Sequence, residues 1–551
     1  MKYRFQWNFP IFFSPNDPGK LYTTSNHVHV STDEGQSWKI ISPDLTRAEP
    51  EKLGSSGGPI TQDNTAVEYY ATIFAAAESP YEEGLIWTGS DDGLVYVSKD
   101  GGENWTDVTP PMAPKYLMYN SVEPDPFTKG GLYVAGTLYK AGDFQPYLFK
   151  TEDYGKTWKK ITDGIPADHF TRVLRADPRR KGLLYAGTEN GMYISFDDGN
   201  SWEPFQLNLP QVPITDLAVK DDNLVVATQG RSLWVVDDLT LLHQLNNTIQ
   251  NAEAYLFKPM DGYRIGRTGT TTSLKEGQNH HSGVKMYYYL KNKPSKKDTV
   301  TLSILEADGD LIRKFSSVDE DNKLEVTKGS NSFLWDMKYP DAEGFDGLIM
   351  WSGGLGGPKA IPGQYQAILS VNGQDQQVNF NILKDPRSKA TQADIQQQFD
   401  YLISVRDKLT ETHRTIKEIR EVRKQLMSFK DRVADRDNMD DLISEVKDIN
   451  EQMTEVEEAL YQTKNKSRQD PLNFPIRLND KLSGLNRVNS LGEWKPTDQS
   501  MAVKEELVRQ IDEQLEKWNE IKTDKIPDLN TSIRQKQIDF IKVDNKEKVT
   551  Y

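Results

Sequence analysis

Four copies of one eight-residue pattern, a run of alternating strands from Val284 and a switch to helical spacing after Pro386 predict a multidomain, mainly β chain. The expected order is five β-propeller blades (1–250), a linker (251–283), an immunoglobulin-like β-sandwich (284–385) and a C-terminal antiparallel helical bundle (386–551). A length of 551 residues suits three or four domains.

The octets are Ser31-Thr-Asp33-Glu-Gly35-Gln-Ser37-Trp38, Ser98-Lys-Asp100-Gly-Gly102-Glu-Asn104-Trp105, Thr151-Glu-Asp153-Tyr-Gly155-Lys-Thr157-Trp158 and Ser195-Phe-Asp197-Asp-Gly199-Asn-Ser201-Trp202. Each follows two short apolar strands, as in LIWTGS then LVYVSKD, and leads into another, as in WKIIS. A further strand ending in a proline turn precedes the set, as in VLRADPRR. Four short strands with turn signals between them make a propeller blade. A fifth unit without the octet runs through ITDLAV, NLVVATQG and SLWVVDD to about Leu242.

As a turn, the octet makes physical sense. Asp33, Asp100, Asp153 and Asp197 can accept backbone N–H groups across a tight hairpin, and Gly35, Gly102, Gly155 and Gly199 tolerate the positive φ it requires. Trp38, Trp105, Trp158 and Trp202 are expected to pack over the hairpin and anchor it to the next strand. These acids are therefore structural, not catalytic.

Around residue 250 the composition turns polar, through TGTTTSLKEGQNHHSG. From Val284 to about Asp385 alternating strands such as VKMYYYL and NSFLWDMKY return, and six or seven of them in about 100 residues read as a sandwich. After Pro386, Phe399, Leu402, Leu409, His413, Ile416, Ile419 and Leu426 fall near helical spacing. Further helices are expected at roughly 437–463 and 500–522, with a short one between them and His413 as a satisfied core residue.

Composition excludes several function classes. A net charge of −15 argues against a nucleic-acid binder that tracks phosphates and against an anionic membrane surface. With no cysteine there is no disulfide, thiolate nucleophile or Cys-ligated zinc, and no apolar run is long enough for a membrane span. Gly353–Gly357 lacks the helix that a phosphate loop needs. No cofactor or metal is expected. The N-terminus, interrupted by Gln6, Trp7, Asn8 and Pro10, reads as a strand and not as a signal peptide.

The octets, together with ISPDLTR, SSGGPITQDNT, TQGRSLWVVDDLTLL, GPKAIPGQY and LNDKLSGL, resemble the sortilin-type, Asp-box (BNR) propeller proteins, and in particular the C-terminal half of large bacterial members often labelled glycosyl hydrolase. The resemblance implies an extracytoplasmic protein. It also implies either an upstream propeller half as partner or five units that close by themselves. By the same resemblance the Asp boxes join third to fourth strands on one face, and ligands are met on the other. That face would present Asp91, Asp92, Glu189 and Arg231 on hairpins, and Asp63, Asn64, Glu68, Tyr116, Tyr119, His169 and Arg172 on or beside connectors. A sialidase needs three converging arginines, and only Arg172 and Arg231 are well placed, with Arg47 just inside a connector. No complete catalytic set can be assembled. The expected function is a non-catalytic scaffold binding a protein, peptide or glycan; the alternative is a sialidase- or xyloglucanase-like glycoside hydrolase using carboxylates on that face.

Overall fold

The structure, a computed structural model, describes residues 3–55, 57–62, 67–266, 276–295 and 297–538. The chain divides into two compact units, Met1–Leu245 and Asn246–Tyr551.

The first unit is a row of antiparallel meanders. The first blade is β1 (Ile11–Phe13), β2 (Leu21–Thr24), β3 (Val28–Ser31) and β4 (Lys39–Ile40). The second is β5 (Ile73–Glu78), β6 (Ile86–Ser90), β7 (Val95–Ser98) and β8 (Thr106–Asp107). The third is β9 (Met118–Pro124), β10 (Leu132–Leu138), β11 (Asp143–Thr151) and β12 (Lys159–Lys160). The fourth is β13 (Thr171–Ala176), β14 (Leu184–Thr188), β15 (Gly191–Ser195) and β16 (Glu203–Pro204). The fifth has three strands, β17 (Ile214–Lys220), β18 (Asn223–Thr228) and β19 (Leu233–Val236), followed by α1 (Thr240–Gln244).

Period-two alternation decides how the blades stack. In each second strand an aromatic residue faces the next blade (Tyr22, Trp87, Tyr133, Tyr185), and its neighbour faces the previous one (Ile86, Leu132, Leu184, Leu224). Each apolar cluster thus lies between two consecutive blades. Glycine ends several of these strands because the next blade leaves no room: a Cβ on Gly187 would come within 2.7 Å of Ile214.

The octets sit in the third-to-fourth-strand hairpins, and their tryptophans do more than cover their own turn. The indole N–H groups of Trp105, Trp158 and Trp202 donate to the carbonyls of Ile41, Val108 and Ile161, each at 2.8 Å. Those residues directly follow the fourth strand of the previous blade. The expectation of an anchor to the next strand is therefore corrected: the indole reaches backward across the joint, where its one donor bonds a carbonyl of the previous blade.

The second unit begins with α2 (Asn247–Asn251) and two sheets around one core. Three strands, β20 (Ala254–Leu256), β22 (Val284–Leu290) and β25 (Gly329–Trp335), form one sheet. The other runs β21 (Gly262–Tyr263), β27 (Gln374–Leu383), β26 (Gly363–Val371), β23 (Val300–Glu306) and β24 (Leu311–Ser316). Helices follow: α3 (Gln392–Val433), opened by a Thr391/Asp394 capping box, then α4 (Asp440–Leu460), α5 (Leu478–Asn489), α6 (Asp498–Glu520) and α7 (Ile526–Gln535). His413 is fully buried on α3, bonded through Nδ1 to the Glu343 carbonyl (2.6 Å) and through Nε2 to Asn479 (3.2 Å). The loop holding Gly353–Gly357 is tied to α5, where Asp480 accepts the Trp351 and Ser352 N–H groups. Among the described residues no helix is long and apolar enough to cross a membrane.

Candidate functional site

Each Asp-box carboxylate is saturated by its own hairpin. Asp33 accepts the Ser37 N–H (2.8 Å), the Ser37 hydroxyl (2.6 Å) and the Ser31 hydroxyl (2.8 Å). Asp100, Asp153 and Asp197 repeat the set with Asn104, Thr157 and Ser201. Bonds that favour the charged form hold all four below the usual carboxylate range, Asp33 and Asp100 at about 2. The turns need left-handed backbone at Gly35, Gly102, Gly155 and Gly199.

On the side of the second-to-third-strand hairpins, the first strands of the blades enclose a cavity of about 880 Å³. Its wall is aromatic, with Trp7, Tyr70, Phe74, Tyr116 and Tyr139. Met118 and Asn120 come from β9, Arg172 from β13 and Thr215 from β17. A register shift between Gly136 and Leu138 aims Thr137 into the cavity, beside Lys140. Two wall atoms, Asn120 Oδ1 and Thr137 Oγ1, are buried without a hydrogen-bond partner among the described residues. Buried polar atoms are normally satisfied, so these are places where a ligand or water would bond.

Asp91 is the one carboxyl group among the described lining residues. It is buried and accepts the Thr72 N–H (2.8 Å) and hydroxyl (2.9 Å). Burial dominates over those bonds and raises it to about 7, with the Asp92 charge pushing the same way and Lys140 opposing. Near neutral pH it is therefore divided between acid and carboxylate, the state required of a proton donor.

The other sequence candidates divide into three groups. Tyr116 and Arg172 line the cavity with Asp91. Tyr116 donates to Glu49 (2.9 Å) with the Lys52 ammonium 3.3 Å from its ring centroid. Arg172 is locked by Glu189 (2.7 Å) and lies against Phe170 and Tyr139. A second group lies outside the lining and is held by its own partners. Asp92 clamps a connector by accepting the Arg47 N–H (2.8 Å), Glu68 accepts the Trp7 indole (2.6 Å), and His169 bonds the Tyr193 hydroxyl (2.7 Å). The third group lies away from the cavity. Tyr119 points into the joint between the second and third blades, because alternation on β9 turns Met118 and Asn120 to the cavity instead. Arg231 is exposed and bonds the Gly230 carbonyl (2.9 Å), with no acid paired to it among the described residues. Asp63 and Asn64 lie outside the described residues.

Sequence reasoning looked to hairpins and connectors and missed Phe74, Met118, Asn120 and Thr215 on the inner strands, along with Lys140. The available signal was the alternation of the first strands, whose second set of residues has no blade to pack against.

The Sortilin-Vps10 family model (sortilin, neurotensin receptor 3) matches residues 93–233. An oligoxyloglucan-reducing end-specific xyloglucanase of Emericella nidulans is 25% identical over 193 residues, which is 30% of this chain and 23% of that protein. Xyloglucanase Xgh74A of Acetivibrio thermocellus is 25% identical over 166 residues, 26% of this chain and 20% of its own. The chain thus spans about a fifth of the length of the curated relatives it matches. Among solved structures, the GH74 xyloglucanase of Xanthomonas campestris aligns over 69% of this chain and 65% of its own, at 14% identity and a TM-score of 0.33. The blades are similar to sortilin-type, Asp-box propellers, and the curated relatives are xyloglucanases.

Proposed function

We propose that the aromatic cavity of the blade array is a glycan-binding site of the glycoside-hydrolase type, with Asp91 as its acid. The observation that carries this reading is a buried carboxyl raised to about 7 in a wall of aromatic rings. Flat rings take the C–H faces of sugars, Asn120 and Thr137 offer unpaired atoms to hydroxyl groups, and a protonated Asp91 can donate to a glycosidic oxygen. Hydrolysis needs a second carboxyl about 5–10 Å from the first. The described lining residues include no such partner, so this chain by itself is expected to bind without cleaving. The similarity to xyloglucanases makes xyloglucan oligosaccharides the first ligands to try.

Titration calorimetry of the full chain with xyloglucan oligosaccharides tests this directly. Binding is expected, weakened by Tyr116→Ala and by Asp91→Ala, with no release of reducing ends. Absence of binding at millimolar sugar, or binding indifferent to both substitutions, would remove the reading.

In the same reading the two-sheet region is an immunoglobulin-type sandwich, and it and the helices act as spacer or docking modules. The protein would work outside the cytoplasm, where such polysaccharides occur.

A further inference from the structure

The charges that line the cavity are unevenly matched. Although the chain carries a net charge of −15, the described lining holds three cations, Lys52, Lys140 and Arg172, and one acid, Asp91. Two of the cations are already neutralised, Lys52 by Glu49 (2.6 Å) and Arg172 by Glu189 (2.7 Å). Lys140 has no acid within ion-pair distance among the described residues. It stands in a single 3-10 turn, Tyr139–Ala141, which Gly142 closes in left-handed backbone at φ 83°. The sheet next to this turn is irregular on both sides. The pairing of β10 with β11 slips between Gly136 and Leu138, and Asn120 of β9 falls between the pairs Ala135–Ser121 and Gly136–Tyr119. Each irregularity turns a polar side chain to the cavity with one buried, unbonded atom, Thr137 Oγ1 and Asn120 Oδ1. Bulges of this kind re-aim side chains and are common beside binding sites.

We propose that this corner of the cavity is a subsite for a sugar carboxylate, so that the preferred ligand is a glycan carrying a uronic acid and Lys140 sets the preference. The inference rests on the glycan reading given above and narrows it. The Thr137 hydroxyl donates to one carboxylate oxygen, the Lys140 ammonium pairs with the other, and Asn120 Oδ1 accepts from a ring hydroxyl. Two donor groups suit two oxygens, whereas a sulfate or phosphate ester would bring a third charged oxygen without a donor group. Tyr139, stacked on Phe170 with 5.0 Å between centroids, supplies the flat platform beside them. A bound uronate also meets Asp91. Burial keeps part of that group protonated near neutral pH, so the one acid of the lining repels the ligand less than an ordinary carboxylate would.

Trigalacturonic acid and its methyl ester share the same rings and differ chiefly in charge, so titration calorimetry of the full chain with both, near neutral pH, tests the subsite. At low salt the acid is expected to bind about tenfold more tightly than the ester. That preference should shrink as added salt screens the pair. Lys140→Met is expected to bring acid and ester to parity, and Lys140→Arg to keep the acid ahead. Lys140 is exposed, so both variants should keep the wild-type melting temperature, which checks that they fold. Equal affinities for acid and ester in the wild type, or a preference for the acid that survives Lys140→Met, would overturn the inference. In that case the glycan reading still stands if xyloglucan oligosaccharides or the ester bind in a manner sensitive to Tyr116→Ala. Should acid, ester and xyloglucan oligosaccharides all fail to bind, that reading fails and the subsite falls with it.

Discussion

Asp91 and Asp33 are the same residue type placed in opposite surroundings. Asp33 meets three donors at an exposed turn, so ionisation is favoured; Asp91 meets two donors but loses its water. The consequences for stability run in opposite directions. The folded chain holds a proton on Asp91 that the unfolded chain releases between its ordinary value of 3.8 and about 7. Stability therefore falls as pH rises through that window. Asp91→Asn keeps both Thr72 bonds possible and removes the titration. Its melting temperature relative to the wild type is expected to climb from about pH 4 to about pH 8, and a flat difference would contradict the assignment. For Asp33 and Asp100 the folded value lies below the unfolded one. Their contribution is complete above the ordinary 3.8 and is lost as pH falls toward about 2. A double Asp33→Asn, Asp100→Asn variant should show a shallower loss of stability across that acid range, read by circular dichroism.

At the scale of elements, the octet hairpin is both a turn and a joint. The glycine that permits its backbone also lets it press on the previous blade: a Cβ at Gly155 would lie 2.5 Å from Val108. Gly155→Ala combines left-handed strain with overpacking and is expected to cost about 1–3 kcal/mol, measured by denaturant unfolding. Position in the row matters as much as residue type. Trp202→Ala removes a buried ring and its bond to Ile161 and should cost about 3–5 kcal/mol. Trp38→Ala, where the ring is 41% exposed, should stay within about 0.5 kcal/mol. Equal losses at the two positions would contradict the difference in burial between the two rings.

For the whole molecule, the division into two compact units predicts two separable foldings. The blade row has its clusters between neighbouring sheets, whereas the second unit has one core between its sheets and another among its helices. Residues 246–551 expressed alone are expected to retain helical circular dichroism and a cooperative melt. A non-cooperative melt of that fragment would show that the division at Leu245 is not a folding boundary.

Repetition made the blades legible without coordinates, because the octet encodes a turn through local bonds between an Asp, a Gly and the residues four positions away. The switch of period at Pro386 likewise revealed the helices, since a 42-residue helix needs only its own spacing and cap. The cavity was legible only in part. Asp91, Tyr116 and Arg172 could be placed from hairpin and connector positions, but Asn120, Thr137 and Lys140 could not. Which side of β9 faces the cavity depends on which side meets the neighbouring blade, and a register shift in β10 turns Thr137 inward. The backward reach of the tryptophans had the same obscurity. A local motif states its own hydrogen bonds, but the partner across a joint is selected by stacking between segments distant in sequence, and only the assembled row decides it.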